Sequence, residues 1–533
     1  MKQFMGLSGK WLTVWVTVSC TTAMALFGYD QGVFGGIIVT EDFLNQMGIA
    51  DDTNMQGTVT SLYDVGCFFG ALSGFSLGEL LGRKRSILLG TVVMMVGAVL
   101  QVSSYGLPQM IVARIITGLG NGLNTASAPV WQSETSKASM RGRLVVLEMI
   151  MNIAGFSLAN WMTYGFSFLN GSISWRFPLA FQLVFGFVLL STVPWLPESP
   201  RWLIAHGKEE KAVEILAALE GDGATVNHPH VITEAKEIKY AIAVERENGV
   251  GWLQLLKGKA GVHGTCTIRR LILGAGTQAM QQLAGINVTS YYLPTVFIRS
   301  VGLDDTLARL LAACNSVSYL VFSFIAIPKV ETWGRRRLMM YAAAGQSACY
   351  LVITILIKFA NESEGKRKHD LGSASVTFFF LYYIFFGIGW QGVPWLYPTE
   401  INSLHMRTKG AALGTASNWG FNYMVVQITP IGIETLDWKF YIIWTVFNAS
   451  FVPIVYLFYP ETAGRRLEDI DRLYREDHSI WVFKNKEAIA PTRPVAYIDA
   501  DEREMRRNSS VAGNKISGDY SNGDTGFTER EKV

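Results

Sequence analysis

Charge is scarce in this chain. Asp, Glu, Lys and Arg make up 17% of its 533 residues, where soluble globular proteins carry about 25%. The shortage is concentrated in long windows. No ionised side chain occurs in 12–29, 86–113, 149–175 or 177–197, nor in 271–298, 338–357, 371–399, 410–433 or 440–460. A bilayer core takes about 20 apolar residues in helical form. Soluble helices keep a polar face and strands are shorter, so these windows exclude an ordinary soluble core. Cysteine is also sparse. Cys20, Cys67, Cys266, Cys314 and Cys349 form no paired motif, four of them sit in apolar segments, and the histidines form no His-x-x-x-His pair. A disulfide scaffold and a metal centre are thereby excluded. There is no G-x-x-x-x-G-K-S/T segment, which excludes an ATP-driven pump, and no nucleophile or metal signature points to an enzyme.

What is present is apolar and small: 50% hydrophobic residues, 12% aromatics and 52 glycines, a composition suited to close packing of membrane helices. The pattern predicts an all-α membrane protein with twelve transmembrane helices. The first six fall near 12–35, 57–79, 86–105, 108–132, 145–166 and 177–196. Six more fall near 270–298, 305–328, 338–358, 373–397, 408–431 and 438–459. The domain reading is a cytoplasmic N-terminus at 1–11, a six-helix half at 12–196, a helical insert at 197–269, a second six-helix half at 270–459, and a tail at 460–533 disordered from about 495. The apolar stretch after residue 11 has no small-residue cleavage signal and reads as a first membrane helix rather than a removable signal.

Basic residues orient the chain. Arg83-Lys84-Arg85, Lys137 to Arg143, Arg335-Arg336-Arg337 and His405 to Lys409 all fall in loops on one side, while Glu41-Asp42 and Asp51-Asp52 fall on the other. The positive side is the cytoplasmic one, which places both termini and the insert there. Asn361-Glu362-Ser363 is a glycosylation triplet on the opposite side. The chain also repeats itself. Gly82-Arg83-Lys84 answers Gly334-Arg335-Arg336, Glu134 with Arg141 answers Glu400 with Arg407, and Pro197-Glu198-Ser199-Pro200 answers Pro460-Glu461-Thr462-Ala463. Three matches in the same order argue for two homologous halves, an architecture of alternating-access carriers.

Nine segments then occur in order: GYDQGV (28–33), GRKR (82–85), RIITGLG (114–120), ETSKASMRG (134–142), PESPRWL (197–203), QQLAGIN (281–287) with Tyr291 and Tyr292, ETWGRR (331–336), PWLYPTEI (394–401) and PETAGRRLEDID (460–471). Through them, residues 12–475 resemble the sugar porter family of the major facilitator superfamily. SLYDVGCFFG (61–70) and TGLGNGLNTASAPVWQSE (117–134) give a closer likeness to the fungal group typified by the yeast glycerol/proton symporter. The resemblance implies a major facilitator fold, no cofactor, a proton as coupling ion, and a small neutral polyhydroxylated solute (glycerol, a pentose or a hexose) as partner. A monomer with no nucleic-acid partner is expected, in the plasma membrane by default, with a vacuolar placement as the alternative. A facilitative uniporter and a transporter-like nutrient sensor are the alternatives.

Asp30 is a lone carboxylate at the end of an uncharged helix, costly in hydrocarbon unless paired, protonated or in a wet cavity. The resemblance makes it the proton site and Arg114 its partner. A permanent salt bridge that only fastens two helices is the alternative reading. Asp64 and Glu148 are further acids near or within spans, and Glu148 is a third candidate for solute or proton handling. Amides both donate and accept, as solute hydroxyls do. Gln281, Gln282, Asn287, Asn315 and Asn418 are therefore solute candidates, with Trp395 and Trp419 as the family's aromatic contacts. The departure is Met149, where the family carries a glutamine; methionine offers no donor. The charged set Gly82, Arg83, Lys84, Glu134, Arg141, Glu198, Arg201, Glu331, Arg335, Arg336, Glu400, Arg407 and Glu461 is implied by resemblance to form cytoplasmic ion pairs between halves that hold the outward-open state.

Overall fold

The computed structural model describes residues 3–137, 140–221, 223–247, 266–403, 406–465, 467–490, 493–494 and 497. The region expected to be disordered, from about 495, lies outside the described residues except for Tyr497. The described residues form helices joined by short loops, with no strand among them. The N-terminal part comprises α1 (Gly9–Ile37), α2 (Glu41–Met47), α3 (Thr53–Leu81), α4 (Arg83–Val102), α5 (Leu107–Thr135), α6 (Arg141–Phe166) and α7 (Ile173–Thr192). The insert supplies α8 (Pro200–Ala205), α9 (Glu209–Glu220) and α10 (Pro229–Glu247). The C-terminal part comprises α11 (Thr267–Leu283), α12 (Ile286–Val296), α13 (Asp305–Ser323), α14 (Ala326–Thr332), α15 (Arg335–Asn361), α16 (Gly365–Gly389), α17 (Val393–Ile401), α18 (Arg407–Leu436) and α19 (Phe440–Phe458). A short α20 (Leu467–Glu476) follows. Among the described residues, nine helical stretches are long and apolar enough to cross a membrane.

Three of the expected helices are interrupted, two of them at a glycine or proline that accounts for the break. α11 and α12 part at Gly285, whose φ of +88° only glycine adopts readily. The carbonyls freed there are not left bare. Ala284 O accepts from the Tyr382 hydroxyl (3.0 Å) and Asn448 Nδ2 (2.9 Å), and Gly285 O from the Tyr350 hydroxyl (2.9 Å). Broken helices at membrane depth require such protein partners. α16 and α17 part at Trp390, Gln391 and Gly392, because Pro394 lacks an N–H and its ring obstructs the preceding turn. α17 runs to Ile401, past the expected end near 397. α13 and α14 part at Phe324-Ile325.

Close packing of backbones sets the framework around α1. A Cβ on Gly28 would stand 1.8 Å from Asn152 O, and one on Gly155 would stand 1.9 Å from Ala25 O. α1 and α6 therefore cross at a distance that only glycine permits. This approach puts the residues flanking Gly28 and Asn152 at the centre of the molecule.

Candidate functional site

A cavity of about 50 Å³ lies between α1 and α6 on one side and α11, α12, α13, α16, α17 and α18 on the other. Of the expected solute residues, Gln281, Gln282, Asn287, Trp395 and Asn418 line it, and so does Met149. Their amides form two hydrogen-bonded groups. Asn418 Nδ2 donates to Gln281 Oε1 (2.9 Å) and Gln278 Oε1 (2.6 Å), and Gln281 Nε2 donates to the freed carbonyl of Trp390 (2.7 Å). Asn287 Nδ2 donates to Gln282 Oε1 and, at 2.6 Å, to Asn422 Oδ1. The break at Gly285 is what lets Gln282 and Asn287, five positions apart on what was read as one helix, meet at all.

Two expected residues are elsewhere. Asn315 is fully buried in α13 and does not line the cavity. Trp419 packs edge-on against Phe27 (ring centroids 5.3 Å) and lies 6.4 Å from Tyr63, behind the wall rather than in it. Four amides were missed, Gln31, Asn152, Gln391 and Asn422, and with them the hydroxyls of Ser290 and Tyr319. Gln31 follows Asp30 directly and donates through Nε2 to Asn287 Oδ1 at 2.7 Å, joining α1 to α12. Asn422 lies one turn after Asn418, a spacing that placed both on one helix face. Asn152 lies one turn after Met149, so α6 does present an amide to the cavity, displaced from where the family carries one.

The acids separate into different environments. Asp30 and Arg114 are fully buried, with Oδ1 and Nη1 3.5 Å apart. Arg114 is held by the carbonyls of Val59 (3.4 Å) and Thr60 (3.0 Å), and lies 3.9 Å from the Phe34 ring centroid and 4.6 Å from that of Tyr63. Asp64 is fully buried on α3, and its Oδ1 accepts from the Tyr291 hydroxyl (3.2 Å) and Asn422 Nδ2 (3.1 Å). Glu148 is fully buried and does not line the cavity, and neither of its oxygens has a hydrogen-bond partner among the described residues.

The charged set sits at one end of the molecule and displays the internal repeat in atomic detail. Gly82 (φ +97°) and Gly334 (φ +84°) each open a helix. Glu198 Oε1 accepts from the N–H groups of Arg83 (3.0 Å) and Lys84 (3.2 Å), and Glu461 accepts from those of Arg335 (2.8 Å) and Arg336 (3.1 Å). A carboxylate at a helix N-terminus satisfies donors that the helix cannot. Burial pushes the Glu198 carboxyl above its usual range, opposed by the N–H groups of Ser199, Lys84 and Arg83. Arg83 pairs with Glu134 (3.1 Å) and Arg335 with Glu400 (2.8 Å). Both pairs stay within their own part of the chain, whereas the resemblance implies pairs between parts. Arg201 is half-buried in α8 and Arg407 exposed at the start of α18; the side chains of Arg141 and Glu331 lie outside the described residues. At the opposite end the two parts are joined directly: Arg309 Nη1 donates to Gly36 O (2.7 Å), and Ser61 Oγ to Gln427 Oε1 (2.6 Å). Asn361 is exposed there and donates to Asp437 Oδ2 at 2.5 Å.

An all-α bundle of many spans, with a polar cavity between two sets of helices and a buried ion pair beside it, is an all-α multi-span membrane carrier of the major facilitator type. Residues 15–474 match the family described as sugar (and other) transporter, and the chain belongs to that family. It is 56% identical to the MFS-type transporter oryC of Aspergillus oryzae, over 96% of this chain and 94% of that one. It is 36% identical to the sugar transporter STL1 of Saccharomyces cerevisiae, over 88% of this chain and 82% of the relative. Among solved structures it resembles the proton:xylose symporter XylE of E. coli, with a TM-score of 0.73 at 25% identity, covering 87% of this chain and 99% of that one.

Proposed function

We propose that this chain is a secondary active transporter that moves a small neutral polyol or sugar together with a proton by alternating access. The observation that carries this reading is the adjacency of two sites on one helix. Asp30 is paired with Arg114 in the interior, and the next residue, Gln31, lines the cavity and bonds Asn287. A proton on Asp30 releases Arg114, and a shift of α1 that follows is felt at once by the amides that hold the solute. The cavity is neutral, since its polar lining is amide and hydroxyl, which suits an uncharged solute. The likeness to STL1 and to the proton:xylose symporter supports the same class.

In this reading α11 with α12 and α16 with α17 are each one interrupted span, and α13 with α14 another. The chain then has twelve spans in two six-helix halves, at 12–196 and 270–459, with 1–11, the insert 197–269 and the tail 460–533 on the cytoplasmic face of the plasma membrane. The mirrored Gly82–Glu198 and Gly334–Glu461 caps support two equivalent halves. The carrier works as a monomer with the proton as its only coupling ion.

The test is uptake by purified protein in liposomes of labelled glycerol, D-xylose and D-glucose, with and without an imposed pH gradient. Accumulation above equilibrium of at least one solute, only when the gradient is present, is expected. Equilibration without accumulation would leave a facilitative uniporter, and no uptake of any solute would overturn the solute class.

A further inference from the structure

We propose that Asp64 is a second proton-carrying carboxylate, sharing the single guanidinium of Arg114 with Asp30, and that it reports the filling of the cavity to that pair through Asn422. The proposal rests on the proton-coupled reading above and names a residue that reading does not use. Asp30, Asp64 and Arg114 are all fully buried; Arg114 Nη1 stands 3.5 Å from Asp30 Oδ1, and its Nη2 donates to Thr60 O (3.0 Å), one turn before Asp64 on α3. Two carboxylates and one guanidinium leave one negative charge uncompensated, which the interior tolerates poorly. One proton on the cluster restores neutrality.

The groups facing Asp64 are known from each element packed on it. α1 presents Asp30, α5 presents Arg114, and its own helix α3 presents Cys67, with Tyr63 beside Asp30. α12 presents Tyr291 and Tyr292, and α18 presents Asn422. Arg114 is the only full positive charge in this set. Asp64 is also where the cluster meets the solute amides. Its Oδ1 accepts from Asn422 Nδ2 (3.1 Å), and Asn422 Oδ1 accepts from Asn287 (2.6 Å), which lines the cavity. Its second donor, Tyr291 (3.2 Å), comes from the broken helix beside Gly35, where a Cβ would stand 2.9 Å from Tyr291 O. Asp64 thus ties α3 to α12 and α18 across the midline of the bundle.

The linkage has a definite sign. A solute hydroxyl that engages Asn287 and Asn422 draws the Asn422 amide from Asp64. A carboxylate that loses a donor favours its protonated form. Reciprocally, a proton on Asp64 frees Asn422 for the solute, so solute and proton bind with positive coupling, as symport needs.

Infrared difference spectra of the full chain in lipid at neutral pH, wild type minus variant, test this without knowledge of the solute. The C=O stretch of a protonated carboxyl is expected in the wild type and lost in both Asp64→Asn and Asp30→Asn, because either substitution leaves one acid for one guanidinium. A band lost only in Asp30→Asn overturns the role of Asp64 while leaving Asp30 as the proton site. A band lost only in Asp64→Asn overturns the sharing, and loss in neither overturns the shared proton altogether. Gradient-driven uptake by the wild type, measured alongside, shows separately whether proton coupling itself stands. If Asp64→Asn does not insert, Asn422→Ser keeps all three charges and removes one donor from Asp64. The band should then persist to higher pH than in the wild type, and an unchanged pH range overturns the proposal.

Discussion

Asp30 and Arg114 hold each other in a place where neither is tolerated alone. Truncating one partner of a buried pair costs about 3–5 kcal/mol, mostly through the charge left behind. Arg114→Gln, which leaves two buried carboxylates and no cation beside them, is therefore expected to lower the thermal unfolding midpoint in detergent. Asp30→Asn leaves Arg114 with Asp64, so it is expected to abolish uphill accumulation while leaving solute exchange in part and the midpoint nearly unchanged. An Asp30→Asn variant that accumulates solute normally would remove Asp30 from the proton path. Position 149 tests solute choice. Met149 lines the cavity without a donor, and Asn152 supplies the only amide of α6 among the described lining residues. Met149→Gln should raise glucose uptake efficiency relative to glycerol by about tenfold, one hydrogen bond worth about 1.4 kcal/mol; a ratio that does not move would show that Asn152 already does this task. At this scale the lone acid was legible because charge in an apolar helix stands out. Gln31 and Asn422 were not, because an amide near a motif looks like any helix-packing amide until its neighbours from other helices are known.

The helices that open at Arg83 and Arg335 depend on glycines that no other residue replaces without strain. A Cβ on Gly334 would stand 2.3 Å from Glu461 Oε2, and one on Gly82 would stand 2.4 Å from Glu198 Oε2. Left-handed backbone alone costs a non-glycine residue about 1–3 kcal/mol. Gly334→Ala and Gly82→Ala should each destabilise by at least that amount, with the larger effect where the capping carboxylate is displaced. Thermal unfolding of the two variants checks this, and two unaffected midpoints would show the caps to be dispensable. The break between α16 and α17 gives a second case. Gln281 Nε2 serves both Trp390 O (2.7 Å) and Gln391 O (3.2 Å). Gln281→Leu leaves those carbonyls without that donor, a loss of about 1–3 kcal/mol, and should reduce solute uptake together with stability. Uptake lost with no change in stability would place Gln281 on the solute alone. The element boundaries near glycine and proline were legible only in part, since Gly285 and Pro394 signal a bend but do not say which carbonyls open or what meets them.

For the whole molecule, the proposed orientation rests on the basic loops. Tags at residues 1, 230 and 533 are expected to be inaccessible from outside intact cells, and a tag near residue 50 accessible. External labelling at 230 would overturn the arrangement of two halves around a cytoplasmic insert. Asn361, exposed at the end opposite the basic loops, should shift in mobility on glycosidase treatment if its triplet is used in a eukaryotic host, and Asn361→Gln should abolish that shift.

The multi-span helical character came from a one-dimensional quantity, apolar length against bilayer thickness, and the proposed orientation rests on another, the side on which basic residues fall. The internal repeat was legible too, because a cap made of Gly, Arg and a distant Glu leaves the same short words in each half. Which amides face one another was decided only by the fold. Gln31 reaches Asn287, and Asn422 reaches both Asn287 and Asp64, because the α1–α6 crossing and the break at Gly285 bring distant segments together. Hydrogen bonds of a few ångströms between residues hundreds apart in the chain leave no periodicity to read. The meeting of solute cavity and buried acids is therefore a property of the tertiary structure alone.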